Sequence, residues 1–404
     1  MLRKASSIKT IKLPLILLFV LLIPLFFGSI VPLEIKSFFY AISLTMKCIL
    51  ILITPLIIFS FLFSSLLSLK TNIIKFVVIL ISAVFISNFI AICTGFAISF
   101  TALPKLQLPI QNSFNDPTQL KPLWEFCISK LIPTEFALIG GFLFGIFFSL
   151  KKSSVAEKIA EKLNEISTGF LKRIFVPLLP LFILGFVFKL EADQVLLKSL
   201  KVYSPVFFVI VGTQICYIIL LYMIASNFSL KRFFTYIRNV FPATITGFST
   251  ISSMATMPML IIATEKNLNN PTIAKTIIPA TINIHTIGSA LGLIILSYAT
   301  LLTFDYQLPT SSALLKFAFY YALAKFAVVA VPGGVLIIMC PLLEKYLGFT
   351  GEMTGLITAV YMLLDPFGTA VNVTGNGAFA IIFSKIYKPS SKKKQFALFE
   401  SQKI

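Results

Sequence analysis

Residues 365–377 read DPFGTAVNVTGNG and follow directly on the apolar run AVYMLL at 359–364. A carboxylate in such a run costs several kcal/mol unless it is partnered, so an acid inside a membrane-like segment is by default a functional group. Behind Asp365 come a glycine at 368 and a cluster of hydroxyls and amides, Thr369, Asn372, Thr374 and Asn376. A helix-start cap is the competing reading of Asp365, with Pro366 at the first helical position.

The surrounding composition fixes the solvent. Of 404 residues 57% are hydrophobic and 12% charged, and the mean hydropathy is +0.96, which identifies a polytopic membrane protein. Apolar runs near span length occur at 13–33, 38–69, 75–102, 131–150, 174–190 and 202–226, then more irregularly to 388. About eight spans are predicted, all α-helical, with extra hydrophobic hairpins. The first run is long for a signal-peptide core and lacks a small-x-small cleavage site, so it reads as a retained helix.

Basic residues sit in alternate loops: Lys70 and Lys75, Lys151 to Arg173, Lys231 with Arg232 and Arg238, and Lys385 to Lys394. Acids Glu34, Glu191, Asp193 and Asp305 fall between them, which puts both termini in the cytoplasm of a cell-membrane protein, a bacterial inner membrane being the expected location. The formal charge of +19 is scattered over loops and reads as positive-inside bias and contact with anionic lipid, not as a nucleic-acid groove. The five cysteines lack CxxC spacing and His285 is the only histidine, so no disulfide scaffold, resident metal or cofactor is indicated.

Residues 1–226 read mainly as scaffold, 227–388 as a transport core and 389–404 as a basic cytoplasmic tail. The core is distinctive because Ser, Thr, Asn, Gly and Pro interrupt its apolar segments in a pattern that occurs twice. Segment 241–265 carries STISSMATMP and is followed by a span with PATINIHTIGSA; segment 314–347 carries AVVAVPGG and is followed by the span of Asp365. Backbone leaves a helix inside a bilayer only where it is buried or lines a cavity. Two such interruptions in corresponding places point to an inverted-repeat transporter with its site near the midplane. Close helix packing through small residues is the plainer alternative.

Four of these stretches resemble the dicarboxylate/amino acid:cation symporter family of glutamate, aspartate and neutral amino-acid transporters. SSMATMP at 252–258 is similar to its serine-rich first hairpin tip, TINIH at 281–285 to its T-I-N-M-D span, AVPGG at 330–334 to its second tip, and DPFGTAVNVTGN at 365–376 to its last span. The resemblance implies eight spans plus two re-entrant hairpins, a trimerising scaffold and a moving transport domain that works as an elevator. It implies that Asp365 meets a substrate ammonium, that Asn372 contacts the substrate carboxylate, and that Ser253 and Ser252 line the first tip. Thr369 lies one turn from Asp365 on the same helix face. Pro332, Gly333 and Gly334 give the second tip its turn, and that tip is the expected extracellular gate.

The departures carry the specificity. The family's arginine for a substrate side-chain carboxylate falls at Gly368, and its alternative first-tip position at Ile251. A buried second carboxylate left without a cation costs about 3–5 kcal/mol, roughly two to three orders of magnitude in affinity. The substrate expected is therefore a neutral amino acid, with a sodium- or proton-coupled glutamate/aspartate or C4-dicarboxylate symporter as the alternative. The family's sodium carboxylates align with His285 and Asn376, and a sodium-site hydroxyl aligns with Lys325. Hard cations prefer charged oxygen ligands, so a proton is expected to be the coupling cation in preference to sodium, or transport is by exchange. Coupling-site candidates are His285, Lys325, Asn283, Asn376 and Thr281. Plainer readings are a core histidine bonded to Ser or Thr neighbours, and a Lys325 that snorkels to a helix end. A membrane enzyme or a channel fits less well: no acid cluster or nucleophile–base pair is present, and the polar residues converge on one locus instead of lining a pore.

Overall fold

The computed structural model describes residues 16, 19–20, 22–67, 74–108, 120–126, 132–151, 153–192, 196–268, 271–328 and 334–387. Pro332, Gly333 and the tail at 389–404 lie outside them. Among the described residues the regular structure is entirely helical: α1 Leu33–Leu67, α2 Ile74–Ala102, α3 Thr134–Lys151, α4 Ser154–Phe170, α5 Val176–Ala192, α6 Leu196–Ala225, α7 Leu230–Thr250, α8 Ser253–Leu268, α9 Pro271–Thr281, α10 Ile287–Thr303, α11 Ser311–Ala324, α12 Gly334–Leu347 and α13 Gly351–Ile386. Helices satisfy every backbone group internally, as a bilayer demands. Polar side chains within them bond back to the preceding turn, as Ser99 does to the Gly95 carbonyl at 2.7 Å and Thr358 to that of Thr354 at 2.6 Å.

Three segments, Phe76–Leu106, Tyr203–Ala225 and Gly351–Ile386, are long and apolar enough to cross a membrane unaided. Leu33–Ile49 with Leu52–Ser64, and Ser154–Phe175 with Pro180–Lys189, add two more if each bent pair is one span, with bends of 44° and 53°. This agrees with a multi-pass helical membrane protein. Several of the expected spans are shorter helices, among them Ile287–Thr303.

The first interrupted segment folds as a helical hairpin. Ile251 turns the chain in the left-handed region at φ 50°, and α7 and α8 run back along each other from it. Asn239 donates to Asn267 Oδ1 at 2.7 Å near the open end, and Thr246 approaches Met259 Sδ at 3.3 Å halfway to the tip. Helices α11 and α12 form the second pair, with Tyr320 and Tyr346 stacked at 5.5 Å.

Between α9 and α10 the helix breaks over 282–286, as the TINIHT stretch predicts. The last span departs from expectation: α13 runs unbroken through Pro366. A proline inside a helix loses its own N–H bond and crowds the carbonyl four residues back, yet the helix continues on both sides of Pro366. Asp365 therefore sits in mid-helix, 15 residues after the N-cap Thr350, which overturns the helix-start reading.

Helices α10 and α13 form the centre, and every residue of α10 except Leu302 is buried. Their close approach needs glycine: a Cβ on Gly288 would lie 2.5 Å from the Gly368 carbonyl oxygen. Two ion pairs tie the N-terminal helices to this core, Lys47–Glu344 at 2.9 Å and Lys189–Glu352 at 3.6 Å.

Candidate functional site

A cavity of about 40 Å³ lies where the first hairpin tip, the α9–α10 break, the second hairpin and α13 meet. Ser253, Asn283, Thr286, Asp365, Thr369 and Asn372 supply its polar lining, and Ile251, Ile282, Val328 and Val335 its apolar lining. The volume is about that of a water molecule. Larger hollows occur elsewhere. The one of about 570 Å³ beside α1 and α13 contains Lys47 and Glu352, which already take part in the two ion pairs described above.

Asn372 organises the cavity floor. Its Oδ1 accepts from the backbone N–H groups of Gly288 at 2.8 Å and Ser289 at 3.2 Å, so it caps the first turn of α10 from another helix. Those N–H groups have no carbonyl partner within their own helix, and the positive end of its dipole faces the cavity. The Asn372 amide nitrogen reaches Ser289 Oγ at 3.4 Å. An anionic group placed here would meet a helix N-terminus and an amide donor. The buried Asp365 carboxylate, two turns away on α13, would meet a cation.

Ser252 does not join this lining; its Oγ accepts from Ala255 N at 3.4 Å and caps α8. Thr281 is buried, but its hydroxyl donates to Ile277 within α9 at 2.9 Å. Gly368 faces α10: a Cβ there would meet Ser289 N at 3.7 Å and Cα at 3.8 Å, ordinary contact distances. Pro332 and Gly333, at the second tip, fall among the residues that are not described.

Lys325 is wholly buried, so it does not snorkel. Its ammonium donates to Ser289 Oγ at 3.0 Å and lies 4.7 Å from the centre of the Tyr321 ring. Tyr321 in turn donates from its hydroxyl to the Ser289 carbonyl at 3.1 Å. Ser289 thus joins the cavity floor to the buried lysine.

His285 is equally buried, with Nε2 2.8 Å from Ser87 Oγ and its ring 4.4 Å from that of Phe379. This is the arrangement of a core histidine bonded to a serine. Asn376 donates to the carbonyls of His285 and Asn372, both at 2.9 Å. Asn283 Oδ1, Thr286 Oγ1 and Asn376 Oδ1 have no hydrogen-bond partner among the described residues. They are neutral oxygens, a weaker donor set for sodium than carboxylates. Among the described residues no group of three His, Cys, Asp or Glu side chains could hold a metal.

Sequence reasoning missed Ser289 and Asn88. Asn88 donates to the Ile284 carbonyl at 2.8 Å and accepts from Thr286 N at 3.2 Å, stitching the broken helix to α2. A polar amide inside the apolar run VFISNFIAI was the available signal. Ser289 carries no such local signal, and only the fold brings Lys325 and Asn372 to it.

The model of the sodium:dicarboxylate symporter family matches residues 13–386. The serine/threonine transporter SstT of Enterococcus faecalis is 23% identical over 325 residues, 76% of this chain and 75% of that protein. The proton/glutamate-aspartate symporter of Bacillus subtilis is 23% identical over 209 residues, 52% of this chain and 49% of that protein. The alignment to the second relative thus spans about half of its length.

Proposed function

The chain belongs to the sodium:dicarboxylate symporter family, and from that premise we propose that it is a secondary-active transporter of a neutral amino acid, coupled to protons or working by exchange. The observation that carries this reading is the cavity lining. It offers Asp365 for an ammonium and Asn372 with the α10 N-terminus for a carboxylate, yet among the described residues it contains no Lys, Arg or His. A substrate side-chain carboxylate would lie buried without a cation, at about 3–5 kcal/mol. The relative aligned over more of the chain is a serine/threonine transporter, which fits a substrate without a charged side chain.

The coupling ion follows from the residues at the sodium positions. A ring nitrogen at His285, an amide at Asn376 and an ammonium at Lys325 replace two carboxylates and a hydroxyl. The proposal includes eight spans with two re-entrant hairpins, a scaffold in a homotrimer, elevator movement of the core and cytoplasmic termini in a bacterial inner membrane. Lipid and further copies of the chain are its partners; no enzymatic activity or nucleic-acid binding belongs to it.

A second reading is favoured by one observation. The Lys325 ammonium reaches Ser289, whose backbone borders Gly368, so a lysine lies one residue's breadth from where the family arginine begins. Glutamate or aspartate would then be the substrate. A thermal-shift screen of the purified protein against the twenty amino acids, with and without sodium, separates the two. A specific ligand stabilises the folded state by mass action. Stabilisation by a neutral amino acid in either salt supports the first reading, and selective stabilisation by glutamate or aspartate the second.

A further inference from the structure

The first hairpin reverses direction over two residues, between Thr250 at the end of α7 and Ser253 at the start of α8. Ile251 makes the turn, with φ 50° and ψ 33°, and its N–H donates to the Gly247 carbonyl at 2.9 Å. Glycine serves in that left-handed conformation after a helix without steric cost. A side chain branched at Cβ is the least suited to it. Ile251 is the one β-branched residue with positive φ among the described residues, so the turn itself does not call for isoleucine. Core packing does not account for it either. The side chain is buried at 7% exposure, yet among the described residues it is not part of the hydrophobic core. It lines the candidate site instead, beside Ile282, Val328 and Val335.

We propose that Ile251 is a specificity-determining residue: it is the wall against which the substrate's side chain packs, and it limits that side chain to a short aliphatic one. This rests on the neutral amino-acid reading above and names the side-chain class within it. With Asp365 and Asn372 assigned to the ammonium and the carboxylate, the apolar lining is left for the side chain. That lining is aliphatic throughout, and it comes from the first hairpin tip, the α9–α10 break and the second hairpin. Ile282, Val328 and Val335 also pack in the hydrophobic core, so Ile251 is the lining side chain whose place the core does not explain. It is also the one of the four with positive φ. Backbone strain of this kind persists where the surroundings over-determine it, and it gathers at ligand clamps. An apolar wall discriminates by size, one methylene changing the preference by about 10- to 200-fold.

The test uses full-length protein in proteoliposomes and a ruler of radiolabelled alanine, 2-aminobutyrate, norvaline and norleucine, which lengthen the side chain one methylene at a time. Serine is the reference, and kcat/KM is measured for each. The wild type is expected to be fastest with one of the two shortest chains and at least about tenfold slower with norleucine. Ile251→Gly suits the left-handed turn and removes the wall. It moves the optimum to a longer chain and raises the norleucine-to-alanine ratio by at least about tenfold. Ile251→Val, one methylene shorter and still β-branched, raises the same ratio by a smaller factor and gives the answer if the glycine variant does not fold. A merely structural role would lower all the rates together and leave the ratio alone. Three results overturn the proposal: a ratio that is unchanged or lowered in the variants, a wild type fastest with norleucine, or a wild type that transports serine and none of the ruler. A wild type that transports neither serine nor any of the ruler overturns the neutral amino-acid reading, and the proposal with it.

Discussion

Asn372 is asked to do two things, and two substitutions separate them. Asn372→Ala removes the acceptor shared by Gly288 N at 2.8 Å and Ser289 N at 3.2 Å. Both N–H groups belong to buried residues, and each donor left unsatisfied costs about 1–3 kcal/mol. The pair together should destabilise the protein by about 2–5 kcal/mol, well beyond the ~1 kcal/mol typical of an exposed helix cap. Asn372→Asp keeps an acceptor in the same place, on the favourable end of the α10 dipole, so both N–H groups stay satisfied and the loss of stability should come only from burying the new charge. It also sets a second negative charge where the substrate carboxylate is proposed to lie, two turns from Asp365. Repulsion in a buried site should then weaken binding by at least about a hundredfold. The assay is thermal unfolding in detergent with and without the amino acid found in the screen. The cap geometry is refuted if Asn372→Ala unfolds with wild type. The carboxylate placement is refuted if Asn372→Asp is stable and still binds that amino acid undiminished.

Other consequences are simpler to check. Gly368→Ala should express and transport like wild type, because its Cβ meets nothing closer than 3.7 Å, whereas Gly288→Ala should give little folded protein because its Cβ would lie 2.5 Å from a carbonyl oxygen; yields in membrane extracts compare them. Asn88→Ala forfeits two buried bonds to the broken helix, which predicts a loss of about 2–4 kcal/mol in unfolding experiments.

How much of this was legible beforehand depended on whether a signal was local. The apolar runs, the hairpin at STISSMATMP and the break at TINIHT follow from residues adjacent in sequence, and the structure has the last two where the interruptions predicted them. Pro366 misled, because the N–H bond it forfeits does not end α13, which continues on both sides of it. Asp365, Thr369 and Asn372 were found together because helical spacing keeps them near one another. The hydroxyls of Ser252 and Thr281 are each taken up by their own helix. The bridge from Asn372 through Ser289 to Lys325 joins three separate helical segments across the core, and no periodicity in the sequence encodes it. Burial of Lys325 was equally invisible, since a lysine 14 residues into a hairpin, counting from Ser311 at the start of α11, can reach water or not depending on what packs above it.

The central claim is that this site carries a neutral amino acid without sodium. Its most direct test is initial uptake of each of the twenty radiolabelled amino acids into proteoliposomes, in parallel with a sodium gradient and with choline in its place. The account predicts saturable uptake that is tightest for one or a few neutral amino acids, at rates that do not change when choline replaces sodium. Tightest uptake of aspartate or glutamate, or transport that stops without sodium, would contradict it.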